Sequence, residues 1–239
     1  MSKYGYQTDK ISMKQQAVHF DKIKAVIFDM DGVIFDTENL WLNCWGYLGG
    51  KYGIENPEGV FRKCIGTTAK ETEVIARAHY GAAFPYDEFN GEVSELFHAK
   101  INESGLPVKS GARELLSFLH INGYRIGLAS STKKVTVKSE LKEAGLLEYF
   151  EVIIGGDMVE RSKPAPDIYR KACEVMDIQP SDAFVIEDSK NGLRSATEAG
   201  LKVLLVPDIV EPDEEMEKSA YRIFPDLIEV RRYLAGKEG

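Results

Sequence analysis

The sequence predicts an α/β protein, a parallel sheet covered by helices with a helical segment inserted after the first strand. Three observations predict it. Five apolar runs, at 23–28, 124–129, 150–155, 183–187 and 202–207, are continuous rather than alternating, as strands buried on both faces must be. The stretches between the later runs carry apolar residues at helical spacing. And about 90 residues separate the first run from the second, far more than an ordinary crossover needs.

Taken in order, residues 1–20 are polar, lack a clear period and read as a tail, with Met13 inside it as an alternative start. The first strand, IKAVIF, runs straight into Asp29. The long gap after it contains three helical stripes: Leu40, Cys44, Tyr47 and Leu48; Val74, Ile75 and Ala78; Phe89, Val93, Leu96 and Phe97. These place a helical cap domain at 38–106, between core segments 21–37 and 107–239. An insertion there sits over the carboxyl ends of the strands, where open α/β sheets bind ligands, and so is placed to act as a lid. Further helices follow from Ala112, Leu115, Leu116 and Leu119, from Val137, Leu141 and Ala144, and from Ile168, Ala172, Val175 and Met176. Gly123, Gly145 and Gly200 stand where helices stop.

Bulk composition narrows the function. A net charge of −8 over 239 residues argues against a nucleic-acid or anionic-membrane partner, which needs clustered Lys and Arg. No apolar run approaches the ~20 residues of a membrane span, and no signal-peptide layout opens the chain. A cytoplasmic protein is expected. Cys44, Cys64 and Cys173 form no CxxC pair, so they read as buried small apolar residues and offer no zinc site. The acidic stretch 208–218 reads as a solvated loop, and His19, His79, His98 and His120 show no ligand spacing.

The chemistry lies at the strand ends. Asp29 and Asp31 project to one side if extended geometry persists, and Gly32 lets the chain turn away. Two close carboxylates are unfavourable unless a cation neutralises them or one stays protonated. A hard, oxygen-liganded cation such as Mg²⁺ suits the first solution, a general acid the second. An EF-hand does not fit, because Gly32 is fourth from Asp29 and Leu40 is twelfth. Ser130 is the first hydroxyl after the second strand, with Ser131 or Thr132 free to cap the next helix. Lys163 follows the third strand, and Pro166 with Asp167 opens a helix. The fourth strand ends in Glu187 and Asp188, where Asp188 is either a helix cap or a site residue. Parallel strands bring these ends to one edge. A nucleophile, an acid, a hydroxyl donor, a cation and further carboxylates are the inventory of phosphoryl transfer.

The four motifs DMDGV, LASS, SKPAPD and IEDS, in this order, resemble the haloacid dehalogenase superfamily, in the branch with a helical cap between the first two motifs. The likeness covers roughly 22–225. It implies a Rossmann-like core and a Mg²⁺-dependent phosphatase of a small phosphorylated metabolite, a sugar or polyol phosphate, as a monomer or alternatively a dimer. By resemblance Asp29 is the nucleophile and Asp31 the proton donor and acceptor. Ser130, Ser131 and Lys163 hold the phosphoryl oxygens. Asp29, the Asp31 carbonyl and Asp188 hold the metal, with Glu187 beside it. Asp31 points away from carbon–halogen cleavage, since dehalogenases proper lack it. In the cap, Trp41, Gly66 and Thr67 are candidate substrate contacts, with Trp45 beside them; cap packing is the alternative for both tryptophans, and a helix start for Gly66, Thr67 and Thr68. A β-phosphoglucomutase is the alternative activity. Trp41 stands where mutases carry histidine and Ala69 where they carry arginine, although Arg62 or Lys70 could supply the second phosphate clamp. A signalling receiver domain shares the residue types but lacks the length and the cap, and a silent binding protein would have little use for both Asp29 and Asp31.

Overall fold

The computed structural model describes residues 23–65, 67 and 69–236. The expected tail with His19, and the candidates Gly66 and Thr68, lie outside them.

Among the described residues six strands, β1 (Ala25–Phe28), β2 (Arg125–Ala129), β3 (Val152–Ile154), β4 (Ala183–Glu187), β5 (Lys202–Leu205) and β6 (Arg222–Ile223), form one parallel sheet in the order β3-β2-β1-β4-β5-β6. The five apolar runs each contain a strand. β6 went unseen because two half-buried residues carry no apolar run. The side chains of β1 alternate between two cores. Val26 and Phe28 join one with α5 (Ala112–Ile121), α6 (Lys134–Glu143) and α10 (Leu227–Leu234). Ala25 and Ile27 join the other with α7 (Asp167–Met176) and α8 (Lys190–Glu198). Continuous apolar runs are thus the cost of burial on both faces.

Between β1 and β2 lie α1 (Thr37–Tyr52), α2 (Pro57–Cys64), α3 (Ala69–Tyr80) and α4 (Tyr86–Ser104), which share a third apolar cluster of their own. Trp45 centres it, its ring 5.4 Å from Phe61 and 5.0 Å from Phe89. Each such aromatic pair adds roughly 0.5–1.5 kcal/mol beyond area burial. Two expected stripes are rotated. Tyr47 and Val74 are exposed, while Trp45 and Ala76 take the buried positions. In α7, Val175 is likewise exposed, and Tyr169 and Cys173 are buried. The linkers pair with each other: Asp36 N donates to Pro107 O at 2.8 Å and Lys109 N to Ile34 O at 2.9 Å.

The 208–218 stretch is not simply a solvated loop. Its second half forms α9 (Glu214–Ser219), capped by Asp213 and anchored by buried Met216, and Asp208 forms an ion pair with Lys109. All three cysteines are buried and unbridged. His79, His98 and His120 are exposed. Among the described residues no helix is long and apolar enough to cross a membrane.

Candidate active site

The sheet order reverses at β1, which pairs with β2 on one side and β4 on the other. Phe28 lies level with Leu128 and Ile186, so Asp29, Ser130 and the 187–188 pair leave the sheet at one edge. This is the crevice where open α/β sheets take ligands. Asp29 N donates to Ile186 O at 3.0 Å, extending the ladder by one residue and holding the acid in place. Gly32 then turns the chain at φ +77°, and a Cβ there would lie 2.1 Å from Asp188 Oδ2. Only glycine allows both the turn and the approach of that carboxylate.

Lys163, from the loop before α7, reaches back into the cluster. Its ammonium donates to Asp29 Oδ1 at 2.6 Å, Glu187 Oε1 at 2.7 Å and Ala129 O at 3.2 Å, which uses all three N–H groups. Glu187 is wholly buried. Besides Lys163, Oε1 accepts from Tyr169 Oη at 2.7 Å. Oε2 accepts from the amides of Asp188 and Ser189 and from Ser189 Oγ at 3.1–3.2 Å. Five donors fill a carboxylate with about four lone-pair sites. Gly192 makes the room, for a Cβ there would meet Glu187 Oε1 at 1.8 Å.

Asp31 is held differently. Thr37 Oγ1 donates to one oxygen at 3.1 Å and Thr132 Oγ1 to the other at 3.3 Å. Ser130 is buried, and its Oγ accepts from Thr132 N at 3.0 Å, leaving its own proton to give. Thr132 therefore does not cap α6, whose N-cap, Lys133, makes no side-chain bond; Lys134 N donates instead to Asp157 Oδ1 at 2.8 Å. Asp188 is not the cap of α8 either, because Ser189 fills that role, with Gly192 N donating to its hydroxyl. Asp188 is left to the site. The Ser131 side chain is exposed.

Charge balance divides the cluster. Burial raises Asp29 to about 7, against the opposing pull of Lys163. Burial pushes Asp188 well above its ordinary value, and Glu187, Glu38, Asp29 and Asp208 push the same way. Burial also raises Asp31, opposed by its two threonine bonds. Glu187 is the exception. Burial would raise it, but Lys163 and the surrounding donors bring it below the usual range. Lys163 in turn is held above its usual value, because Asp29 and Glu187 overcome its burial. Asp29, Glu187 and Asp188 offer oxygens that all lie within 4.8 Å of one another, a hard donor set able to hold a cation.

Beside Asp188 a cavity of about 270 Å³ is lined by Glu38, Ile65, Asn191, Asp208 and Ile209 among others. Glu38 is raised to about 7, first by burial and then by Asp208. Asn39 donates to Asp36 and Asp208, tying the start of α1 to the loop after β5. Arg62 donates to Ile209 O at 3.2 Å, bridging the insertion and the core; Lys70 is exposed. Trp41 stacks on Phe97 at 4.1 Å within the insertion's own apolar cluster. Thr67 bonds Cys64 O and the Thr72 hydroxyl. In the sequence Thr37 and Tyr169 carry no assigned role and Thr132 reads only as a helix cap. Thr37 lies beside the first motif and Tyr169 beside the third, but which way their hydroxyls turn is set by packing.

The family described as haloacid dehalogenase-like hydrolase matches residues 26–206. A phosphorylated carbohydrates phosphatase of Thermotoga maritima is 32% identical over 180 residues, 75% of this chain and 83% of that protein. A bifunctional riboflavin kinase/FMN phosphatase of Arabidopsis thaliana is 31% identical over 209 residues, 87% of this chain but 54% of that protein, so the chain spans about half its length. Among solved structures, a HAD family hydrolase from Deinococcus radiodurans R1 with bound phosphate and sodium is 26% identical, with a TM-score of 0.75 over 90% of this chain and 96% of that one. A β-phosphoglucomutase from Clostridium difficile shares the fold at 24% identity, with a TM-score of 0.65 over 90% and 96%.

Proposed function

The chain belongs to the haloacid dehalogenase-like hydrolase family, and we propose that it is a Mg²⁺-dependent phosphatase of a small sugar or polyol phosphate, working through an aspartyl-phosphate on Asp29. One observation carries this reading: Asp29, Asp31, Ser130, Lys163 and Asp188, drawn from about 160 positions of chain, meet at one sheet edge. The phosphatases among its relatives support the substrate class.

In the first step the Asp29 carboxylate attacks phosphorus. A new P–O bond forms, the ester P–O bond breaks, and the alcohol leaves with a proton from Asp31. In the second step Asp31 takes a proton from water as it attacks the aspartyl-phosphate, which releases phosphate and restores Asp29. The raised proton affinity of Asp31 suits it to the first role. Ser130 donates to a phosphoryl oxygen, and Lys163 faces the charge on the transferring group.

Mg²⁺ fits the site. Asp29 and Asp188 are buried carboxylates held above their ordinary proton affinity, a cost that a cation removes. Asp29, the Asp31 main-chain carbonyl and Asp188 would hold it. Glu187, whose oxygens also accept from Lys163, Tyr169 and the chain at 188–189, would anchor Lys163 beside the metal. Bound Mg²⁺ supplies charge neutralisation for the phosphoryl oxygens.

The insertion between the linkers acts as the cap over this edge. Hydrolysis fits better than a mutase reaction, because Trp41, packed on Phe97, has no acid–base chemistry to offer. A panel of phosphate esters tests the proposal. Phosphate release with Mg²⁺, lost with EDTA and reduced at least about 10³-fold in Asp29→Asn, is expected. Undiminished release in Asp29→Asn removes the proposed nucleophile. Conversion of β-glucose 1-phosphate to glucose 6-phosphate with little free phosphate would establish the mutase instead.

A further inference from the structure

Lys163 owes its place to Glu187, and Glu187 is shared with a residue outside the four motif roles. Tyr169, on the first turn of α7, is wholly buried. Its hydroxyl donates to Glu187 Oε1 at 2.7 Å, the same oxygen that accepts Lys163 Nζ at 2.7 Å. The ammonium also lies 5.0 Å from the centre of the Tyr169 ring, within cation–π range. One side chain thus grips both members of the ion pair, the carboxylate through its hydroxyl and the ammonium through its ring.

We propose that Tyr169 is a positioning residue for phosphoryl transfer: its hydroxyl fixes the Glu187 oxygen from which Lys163 is aimed at the phosphoryl group. The inference rests on the phosphatase reading above. All three Lys163 N–H groups are committed in the free site. To reach a phosphoryl oxygen, the ammonium must redirect one of them. The Asp29 bond is the one to give up, since Asp29 must face phosphorus and metal. Lys163 then hangs on Glu187 and the Ala129 carbonyl alone. The Oε2 atom of Glu187 is clamped by the chain at 188–189, but among the described residues Oε1 accepts only from Lys163 and Tyr169. Remove the phenol oxygen, and the atom that aims the lysine is held by nothing except the lysine. A plain core role would be filled as well by phenylalanine, which keeps the ring and its packing.

Tyr169→Phe therefore isolates the hydroxyl. In steady-state assays with Mg²⁺ and the best ester, kcat is expected to fall about tenfold while KM stays within about twofold, the mark of an interaction made in the transition state. Binding of orthovanadate, measured by calorimetry and independent of turnover, closes a double-mutant cycle with Lys163→Met. Tyr169→Phe should weaken vanadate about tenfold when Lys163 is present and leave it unchanged in the Lys163→Met background. Equal weakening in both backgrounds, or unaltered kcat and vanadate affinity in Tyr169→Phe, overturns the proposal while leaving the phosphatase reading intact. A wild-type protein that neither hydrolyses any ester nor binds vanadate sinks the phosphatase reading, and this inference with it.

Discussion

The two sides of the carboxylate cluster are built on opposite principles. On the Lys163 side, Glu187 is buried beneath five donors and holds its charge more firmly than a carboxylate in water. On the Asp188 side, another buried carboxylate faces Glu187, Glu38, Asp29 and Asp208, and its charge is strongly disfavoured. The first side carries its own cation; the second, on the proposed reading, would receive one from solution.

Replacing Lys163 breaks the braced side and carries the largest expected effect. Lys163→Met leaves Glu187 charged and buried without its cation. A stability loss of about 3–5 kcal/mol is expected by urea denaturation, with kcat down by at least about 10²-fold. The same kind of deletion on the other side should do the reverse to the metal-free protein. A carboxylate whose folded-state proton affinity is raised stabilises the fold at low pH, and that contribution is lost as pH rises from its ordinary value through the raised one. In the absence of Mg²⁺, Asp188→Asn should therefore be at least as stable as wild type at pH 8 by thermal denaturation, while losing the stabilisation that Mg²⁺ gives wild type. A destabilised metal-free Asp188→Asn would erase the contrast between the two sides.

Metal affinity sharpens the comparison. Asp29 must shed a proton to bind a cation, and its value lies at about 7. Asp188, whose proton affinity is also raised, must do the same, so apparent Mg²⁺ affinity should rise with pH through neutrality, as read by calorimetry. The smallest effect concerns Glu140 on α6. Burial, with Asp31 and Glu143 adding to it, raises this residue to about 7, and its Oε2 has no hydrogen-bond partner among the described residues. Its contribution is present below its ordinary value of 4.5 and is lost as pH climbs through 7. Glu140→Gln should flatten the fall in Tm across that window.

Much of the core site could be read from the chain because chemistry constrained it locally. Strands that end in Asp29, Ser130 and Asp188 announce themselves by apolar runs meeting polar residues, and parallel pairing then leaves only one edge for them. The insertion offered no such constraint. Trp41 and Tyr47 share one helix at positions equally open to substrate, core or solvent; the first stacks in the apolar cluster and the second is exposed. Helical periodicity tolerates a rotation of one residue, so the stripes at Tyr47, Val74 and Val175 slipped while the elements themselves were right.

From residue order alone came the parallel α/β core, the inserted helices and the list of reactive groups, because burial on two faces and charge at strand ends leave a linear trace. Three-dimensional packing alone assigned the partners: Thr37 and Thr132 to Asp31, Tyr169 to Glu187, Ser189 rather than Asp188 to the helix cap, and Lys109 to Asp208. Hydrogen bonds and ion pairs act over about 3 Å, and no spacing along the chain reveals which distant groups the folded backbone brings within that reach.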